Sequence, residues 1–361
     1  MEIHNNTPFA DGLTMGLGPE RRPCLSVIVK GTFAIPQNSS AKVEPAAEQR
    51  DVATEDEYHE NDVATGSLLM EADTAPYKPE ADVVVVGKAH APGGEPVRQL
   101  DVSLRVGRKV REVVRVIGDR EWVFPTGMAV VPKKTDPVPF TEMPLIYERA
   151  YGGIDHKANK WFSSNPIGRG FIGDKSKETV DRKPLPNLED PNNLISSWND
   201  QPQPMGFGFL RKDWQPRASY AGTVEGHEDI DEQFGLPSDF EFAFYNGAHP
   251  RLQVPDYLDG NERIDLRHFT PDEYRQFSLP GIEPQVTLSR RSPEGPNGEQ
   301  KTPGESSLRT EDVSVRLDTL VLLPEEDQFC LVWRGHTPIR DPDLNLERIE
   351  ELQIEQEAFT Q

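Results

Sequence analysis

The sequence predicts a mainly β protein, with sandwich-like or stacked antiparallel sheets, long ordered loops rich in Pro, Gly and aromatic residues, and a short C-terminal helix. Three observations lead there. Runs of β-branched residues recur toward both ends of the chain, with apolar and polar residues alternating. Between them, roughly residues 132 to 285 are crowded with Pro, Gly, Asn and aromatic residues and show no period. Near the end, Leu344, Leu346, Ile349, Leu352 and Ile354 stand at almost helical spacing among acidic residues.

The first strand is CLSVIVKGTFAI, Cys24 to Ile35, rich in β-branched residues and stopped by Pro36. DVVVVGKAHA, from Asp82, is apolar on both faces, as a central strand is. LDVSLRVG puts Leu100, Val102, Leu104 and Val106 on one face, turns at Gly107 and Arg108, and returns as VREVVRVIGDREW, a hairpin with one buried face. Within it, Gly118, Asp119 and Arg120 precede Trp122 as a turn tied by an Asp–Arg pair. The unpatterned middle reads as ordered loops laid over a sheet, yet it is too long to be one structureless loop, so further short elements belong there. DVSVRLDTLVLLP and DQFCLVWRG flank Glu325 and Glu326 as a second hairpin. The charged segments near 42–62 and 290–312 are expected to be exposed, mobile loops. These elements predict a single β-rich domain over residues 1–340, in one body or two lobes, followed by an acidic amphipathic helix over 341–361.

Composition narrows the function. With 361 residues the chain is long enough to bury a full core, and Cys24 and Cys330 sit in apolar runs where a thiol acts as a small hydrophobe. The opening MEIHNNTPFADG lacks a basic, apolar export signal, and no apolar run is long enough to span a bilayer, so a cytoplasmic location is expected. A net charge of −22 repels phosphate backbones, and Arg21–Arg22, Lys133–Lys134 and Arg290–Arg291 are only pairs. Such acidity is expected first of an ordinary solvated surface; the alternative is that it steers a basic partner.

Signatures of catalysis are weak. Gly168, Gly170 and Gly173 spell G-x-G-x-x-G, but Asn165 and Pro166 stand where a strand should end, and the charged stretch Asp174 to Asp181 follows where an apolar helix face should begin. The eight histidines are scattered without metal-ligand spacing. No G-x-S-x-G elbow is present, and neither cysteine has a basic or helix-start context. Glu121 beside Trp122 and Asp213 beside Trp214 could serve as glycosidase acids beside a sugar-stacking ring, which makes a glycan-acting hydrolase the enzymatic alternative. No catalytic, cofactor-binding or metal residue is otherwise indicated.

A series of ordered blocks carries a family resemblance: KGTFAIP from Lys30, YKPEADVVVVGKAHAPGGEPV from Tyr77, GDREW from Gly118, PFTEMPLIYERAYGG from Pro139, NPIGRGF from Asn165, LPNLEDP from Leu185, QPQPMGFGFLRKDWQPR from Gln201, AGT from Ala221 and LPSDF from Leu236. With these the chain resembles the bacterial domain of unknown function family 2169, encoded beside the spike genes of type VI secretion systems. The resemblance implies a non-catalytic adaptor or chaperone that binds a secreted effector, often through its PAAR-like domain, and promotes loading onto the VgrG spike. It brings no catalytic residue. A structural component of the secretion apparatus is a further alternative.

The blocks are rich in residues of rigid loops and interface anchors. Trp161, Phe162, Arg169, Trp214 and Arg217 are the candidate partner contacts, with packing in the core an equal alternative for each. Glu148 with Arg149 is expected to be a buried pair supporting Gly152 and Gly153.

Overall fold

The computed structural model describes residues 2–38, 41–125, 130–223, 236–292, 307–339 and 349–356. The chain is mainly β, as its patterning predicts, and three sheets carry the architecture. The largest has six strands in the order Gln253–Val254, Ala81–Val85, Val315–Leu323, Gln328–Pro338, Pro23–Ala34 and Ala10–Leu17. Its pairings are antiparallel except between Ala81–Val85 and Val315–Leu323, which run parallel. All of Ala81–Val85 is buried, which is why Val83, Val84 and Val85 follow one another without alternation.

A five-stranded sheet follows the order Leu188–Glu189, Val110–Ile117, Gln99–Val106, Arg263–Arg267 and Tyr274–Ser278. The expected hairpin is its centre, with Leu100, Val102, Leu104 and Val106 buried in alternation and Gly107 supplying the positive φ of the turn. The hairpin at Glu325 and Glu326 is also present, joining Val315–Leu323 to Gln328–Pro338. A four-stranded sheet, Glu2–Asn5, Ile349–Gln356, Pro284–Ser292 and Ser307–Val313, completes the set.

This last sheet corrects the expected C-terminal helix. Ile349–Gln356 is a strand, parallel to Glu2–Asn5 and antiparallel to Pro284–Ser292; residues 341–348 and 357–361 lie outside the described residues. Leu352 and Ile354 are both buried, which is strand periodicity. A short isolated helix is marginal in water, whereas here two neighbouring strands satisfy the backbone. The segment 42–62 lies across the Pro23–Ala34 strand, with Gln49 bonding both Thr32 N and Thr32 O and with Ala53 N donating to Asp73. The segment 290–312 contributes ends to two strands, while 293–306 lie outside the described residues.

One apolar cluster draws side chains from all three sheets. A run of rings crosses it, from Trp333 through Phe9, Phe33 and Phe329 to Phe277, with neighbouring centroids 5.2–5.8 Å apart. Phe277 belongs to the five-stranded sheet, so the ring run joins it to the six-stranded one. Cys24 and Cys330 are free and buried, and burial pushes both thiols up, consistent with their reading as small hydrophobes.

Charges are also buried here. Asp82, fully buried, accepts from Lys78 Nζ at 2.8 Å, Asn246 Nδ2 at 3.1 Å, Gly247 N at 2.9 Å and Ala248 N at 3.2 Å. Lys30 pairs with Asp73 at 2.7 Å and Arg334 with Asp318 at 2.6 Å. These ties fasten the loops at 73–80 and 246–248 to the six-stranded sheet, positioning the irregular middle of the chain.

Candidate partner-binding surface

The irregular middle builds a second, smaller core from Trp122, Tyr151, Phe171, Ile172, Val180, Leu185 and Ile195. The glycines of the ERAYGG and NPIGRG blocks make it possible. Gly152 and Gly153 have φ of +149° and +108°, and a Cβ on Gly152 would lie 2.1 Å from Asn165 O. Gly152 pairs with Gly170 in a two-residue parallel ladder, and buried Asn165 donates to Tyr147 O at 2.8 Å and Tyr151 O at 3.1 Å. The G-x-G-x-x-G string is thus a packing device. Gly168 fits against Asn165 and Ala150 O, and the helix that follows, Lys177–Val180, is a single turn.

This interlocked pair of blocks carries a hairpin formed by Ile154–Asp155 and Lys160–Trp161. Its loop turns at Asn159, which adopts a φ of +51° that Asn tolerates. Asp155 is buried at the base and accepts from the N–H groups of Lys157, Ala158, Gly173 and Asp174. Burial pushes its carboxyl up, but those N–H bonds and the charge of Lys183 hold it below the usual range. Ile154 and Trp161 face each other directly across the hairpin and are 45% and 60% exposed. An apolar pair is therefore held in water on a rigid support.

The five candidate contacts separate. Trp161 alone of the aromatic candidates stays exposed, as a partner contact requires. Phe162, next in sequence, points inward against Tyr151 and Phe171, with centroids 5.0 and 5.9 Å away, so it is packing and not an exposed anchor. Trp214 is 1% exposed and lies edge-on to Tyr147. Arg217, also 1% exposed, pairs with buried Glu71 and donates to Phe244 O and Leu210 O. Both are core residues, which corrects their placement as partner contacts. The sequence left core and interface open for Arg217 because its partner Glu71 is 146 positions away.

Arg169 lies at a cleft of about 570 Å³ lined by Glu148, Arg149, Lys88, His59 and Glu325 among others. Its Nε donates to Glu148 O at 3.1 Å and its Nη1 reaches Asp119 at 3.4 Å, while Arg149 Nη1 lies 3.6 Å from the same carboxylate. Burial, then the neighbouring Arg149 charge, makes Arg169 a weaker base than an ordinary arginine. Two expected pairs are re-partnered here. Glu148 accepts from Ser67 N and Oγ, each at 2.7 Å, and Arg149 bonds Asn187 and Asp119. Arg120 pairs with buried Glu189 instead of Asp119, whose carboxylate takes Asn187 Nδ2 at 2.9 Å. The turn before Trp122 is held by long-range partners that sequence neighbours could not reveal.

The comparisons accord with these blocks. The model of a family described as an uncharacterized protein conserved in bacteria, DUF2169, matches residues 20–334. The chain belongs to that family. No curated protein and no solved structure matches it. The family match includes the five-stranded sheet, the six-stranded sheet apart from Ala10–Leu17 and the last four residues of Gln328–Pro338, the second core and the Trp161 hairpin.

The acids proposed for a glycosidase are each answered by an arginine: Glu121 by Arg182, and Asp213 by Arg211 Nε at 2.9 Å. Among the described residues no group of three His, Cys, Asp or Glu side chains is placed to hold a metal ion, and no helix is long and apolar enough to cross a membrane.

A second cavity of about 570 Å³ is lined by Pro202, Pro204, Met205, Leu210, Pro216 and Pro250, with His249 at its wall. His249 Nδ1 accepts from Arg251 N at 3.2 Å as the cap of a short 3₁₀ turn, Pro250–Leu252, so its ring must be neutral there. Burial and the Arg251 charge push its pKa down to about 4. Because the folded value lies below the unfolded value, the unfolded chain binds the extra proton. Stability is full above about pH 6.5 and falls as pH drops toward 4, by roughly 3 kcal/mol from this group. Urea midpoints at pH 7 and pH 4.5 should fall less for His249→Asn, which keeps a cap acceptor without titrating; an equal fall in both proteins would contradict the assignment.

Proposed function

We propose that this protein is a non-catalytic adaptor or chaperone that binds a type VI secretion effector, or its PAAR-like domain, and promotes its loading onto the VgrG spike. The observation that carries the binding reading is the exposed Ile154–Trp161 pair, on a hairpin tied at its base by Asp155 and supported by the interlocked glycines of the two family blocks that flank it. A preorganised aromatic anchor loses little conformational freedom on binding, so more of its buried apolar area appears as affinity. The net charge of −22 adds long-range attraction for a basic partner, raising the association rate at low salt. The resemblance to secretion adaptors supplies the identity of the partner.

Co-expression tests the reading. An effector or PAAR-like protein encoded beside this chain is expected to co-purify with it and to gain solubility in its presence. Absence of both effects would remove the adaptor reading. Turnover of a glycan by the purified protein, lost on replacing Glu121 or Asp213, would install the hydrolase instead.

A further inference from the structure

We infer that the strand Ala10–Leu17 is a docking edge that accepts an extended segment of another protein, one in which basic and apolar side chains alternate. The strand is the outer member of the six-stranded sheet and pairs with Pro23–Ala34 in continuous register over eight residues, without a bulge. Gly18 N donates to Arg22 O at 2.8 Å, which sets the alternation of the antiparallel ladder. Pairs 16/24, 14/26 and 12/28 therefore exchange the hydrogen bonds, and the N–H and C=O groups of Asp11, Leu13 and Met15 point away from the sheet. None of these backbone groups has a hydrogen-bond partner among the described residues.

Natural sheets usually blunt such an edge with lysine, proline or a bulge, because it is a template for another strand. Ala10–Leu17 has none of these. Its one charge, Asp11, is occupied by Asn5 Nδ2 at 2.7 Å, and Met15 is 40% exposed. Main-chain pairing would add a strand here, with side-chain alternation supplying specificity.

The two faces beside the edge differ, and that difference selects the occupant. Leu13 and Met15 share one face. On the other, Val52 seats against Gly12. The stretch carrying Val52 exposes Glu48, Asp51, Glu55 and Glu57, none of them ion-paired among the described residues, and lines a groove of about 710 Å³ that reaches Lys30, opposite Ala10. An added strand with apolar residues toward Leu13 and Met15 and lysine or arginine toward this rim complements both faces. A second copy of the chain would instead bring its own acidic rim against the first. The inference rests on the adaptor reading only in supposing that the chain holds another protein, and it does not involve the Trp161 hairpin.

Residue-resolved amide exchange on the full chain tests it, with a synthetic ten-residue peptide of alternating lysine and valine as the probe. At millimolar peptide, exchange at Leu13 and Met15 should slow at least tenfold, and a glutamate–valine peptide should produce no slowing. Met15→Pro should abolish the effect with little change in Tm, since that N–H makes no bond within the sheet, while Met15→Ala should retain it. Should Met15→Pro not fold, N-methylation of the peptide at alternate residues removes the same hydrogen bonds from the other side, and one of its two registers should lose binding. No slowing with the lysine peptide, equal slowing with Met15→Pro or with both methylated registers, or protection that grows with protein concentration alone would overturn the inference. An effector that still co-purifies with Met15→Pro would leave the adaptor reading standing without this edge.

Discussion

Asp82→Ala is expected to cost at least about 3–5 kcal/mol of folding stability, the loss typical of a buried charge left without its partner. The carboxylate answers Lys78 Nζ and three further donors, Asn246 Nδ2, Gly247 N and Ala248 N, all in a water-excluded site. Removing it leaves the ammonium without its directly paired carboxylate, with only Thr319 Oγ1 still bonded to it, and adds the cost of unpaired buried N–H groups, on the order of 1–3 kcal/mol each. Lys78→Met in the same chain should restore a large part of the loss, because the charge then disappears with its partner. Urea unfolding of both variants reads the effect. A single-variant loss under about 1 kcal/mol would mean that the hub does not tie the 246–248 loop to the sheet.

Arg217→Ala should be comparably damaging, by about 3–5 kcal/mol, because Glu71 is buried and the guanidinium also caps the carbonyls of Phe244 and Leu210. The expected outcome is a large fall in the urea midpoint, with partner affinity unchanged where the variant remains folded. If the midpoint hardly moves while affinity falls, Arg217 returns to the role of partner contact that its residue type suggests.

The sheets were legible because their determinants are local. Alternation at Leu100, Val102, Leu104 and Val106, the turn at Gly107 and the unbroken apolar run at Val83–Val85 each specify a strand without reference to distant residues. The C-terminal strand was misread because Leu344, Leu346, Ile349 and Leu352 mimic a helical spacing, and only the two strands that flank Ile349–Gln356 decide between the periods. The candidate surface was half legible. Trp161 belongs to it, while Trp214 and Arg217, identical in residue type to good anchors, are drawn inward by Tyr147 and Glu71. Burial of Trp and Arg depends on long-range partners, which composition does not encode. Ile154 was missed, although IDHKANKW contains its signal: Asn159 permits a tight turn, and a four-residue loop between Asp155 and Lys160 sets Ile154 opposite Trp161.

On the proposed function, partner binding resides in the exposed hairpin and not in the buried aromatic and arginine residues around it. The direct measurement is the Kd of the purified chain for its proposed partner, an effector or PAAR-like protein recovered by co-purification, for wild type and for Trp161→Ala, alongside the Tm of each. Affinity weaker by about 30-fold, equivalent to roughly 2 kcal/mol, is expected for Trp161→Ala with the Tm nearly unchanged. Unaltered affinity in a folded Trp161→Ala protein would contradict it.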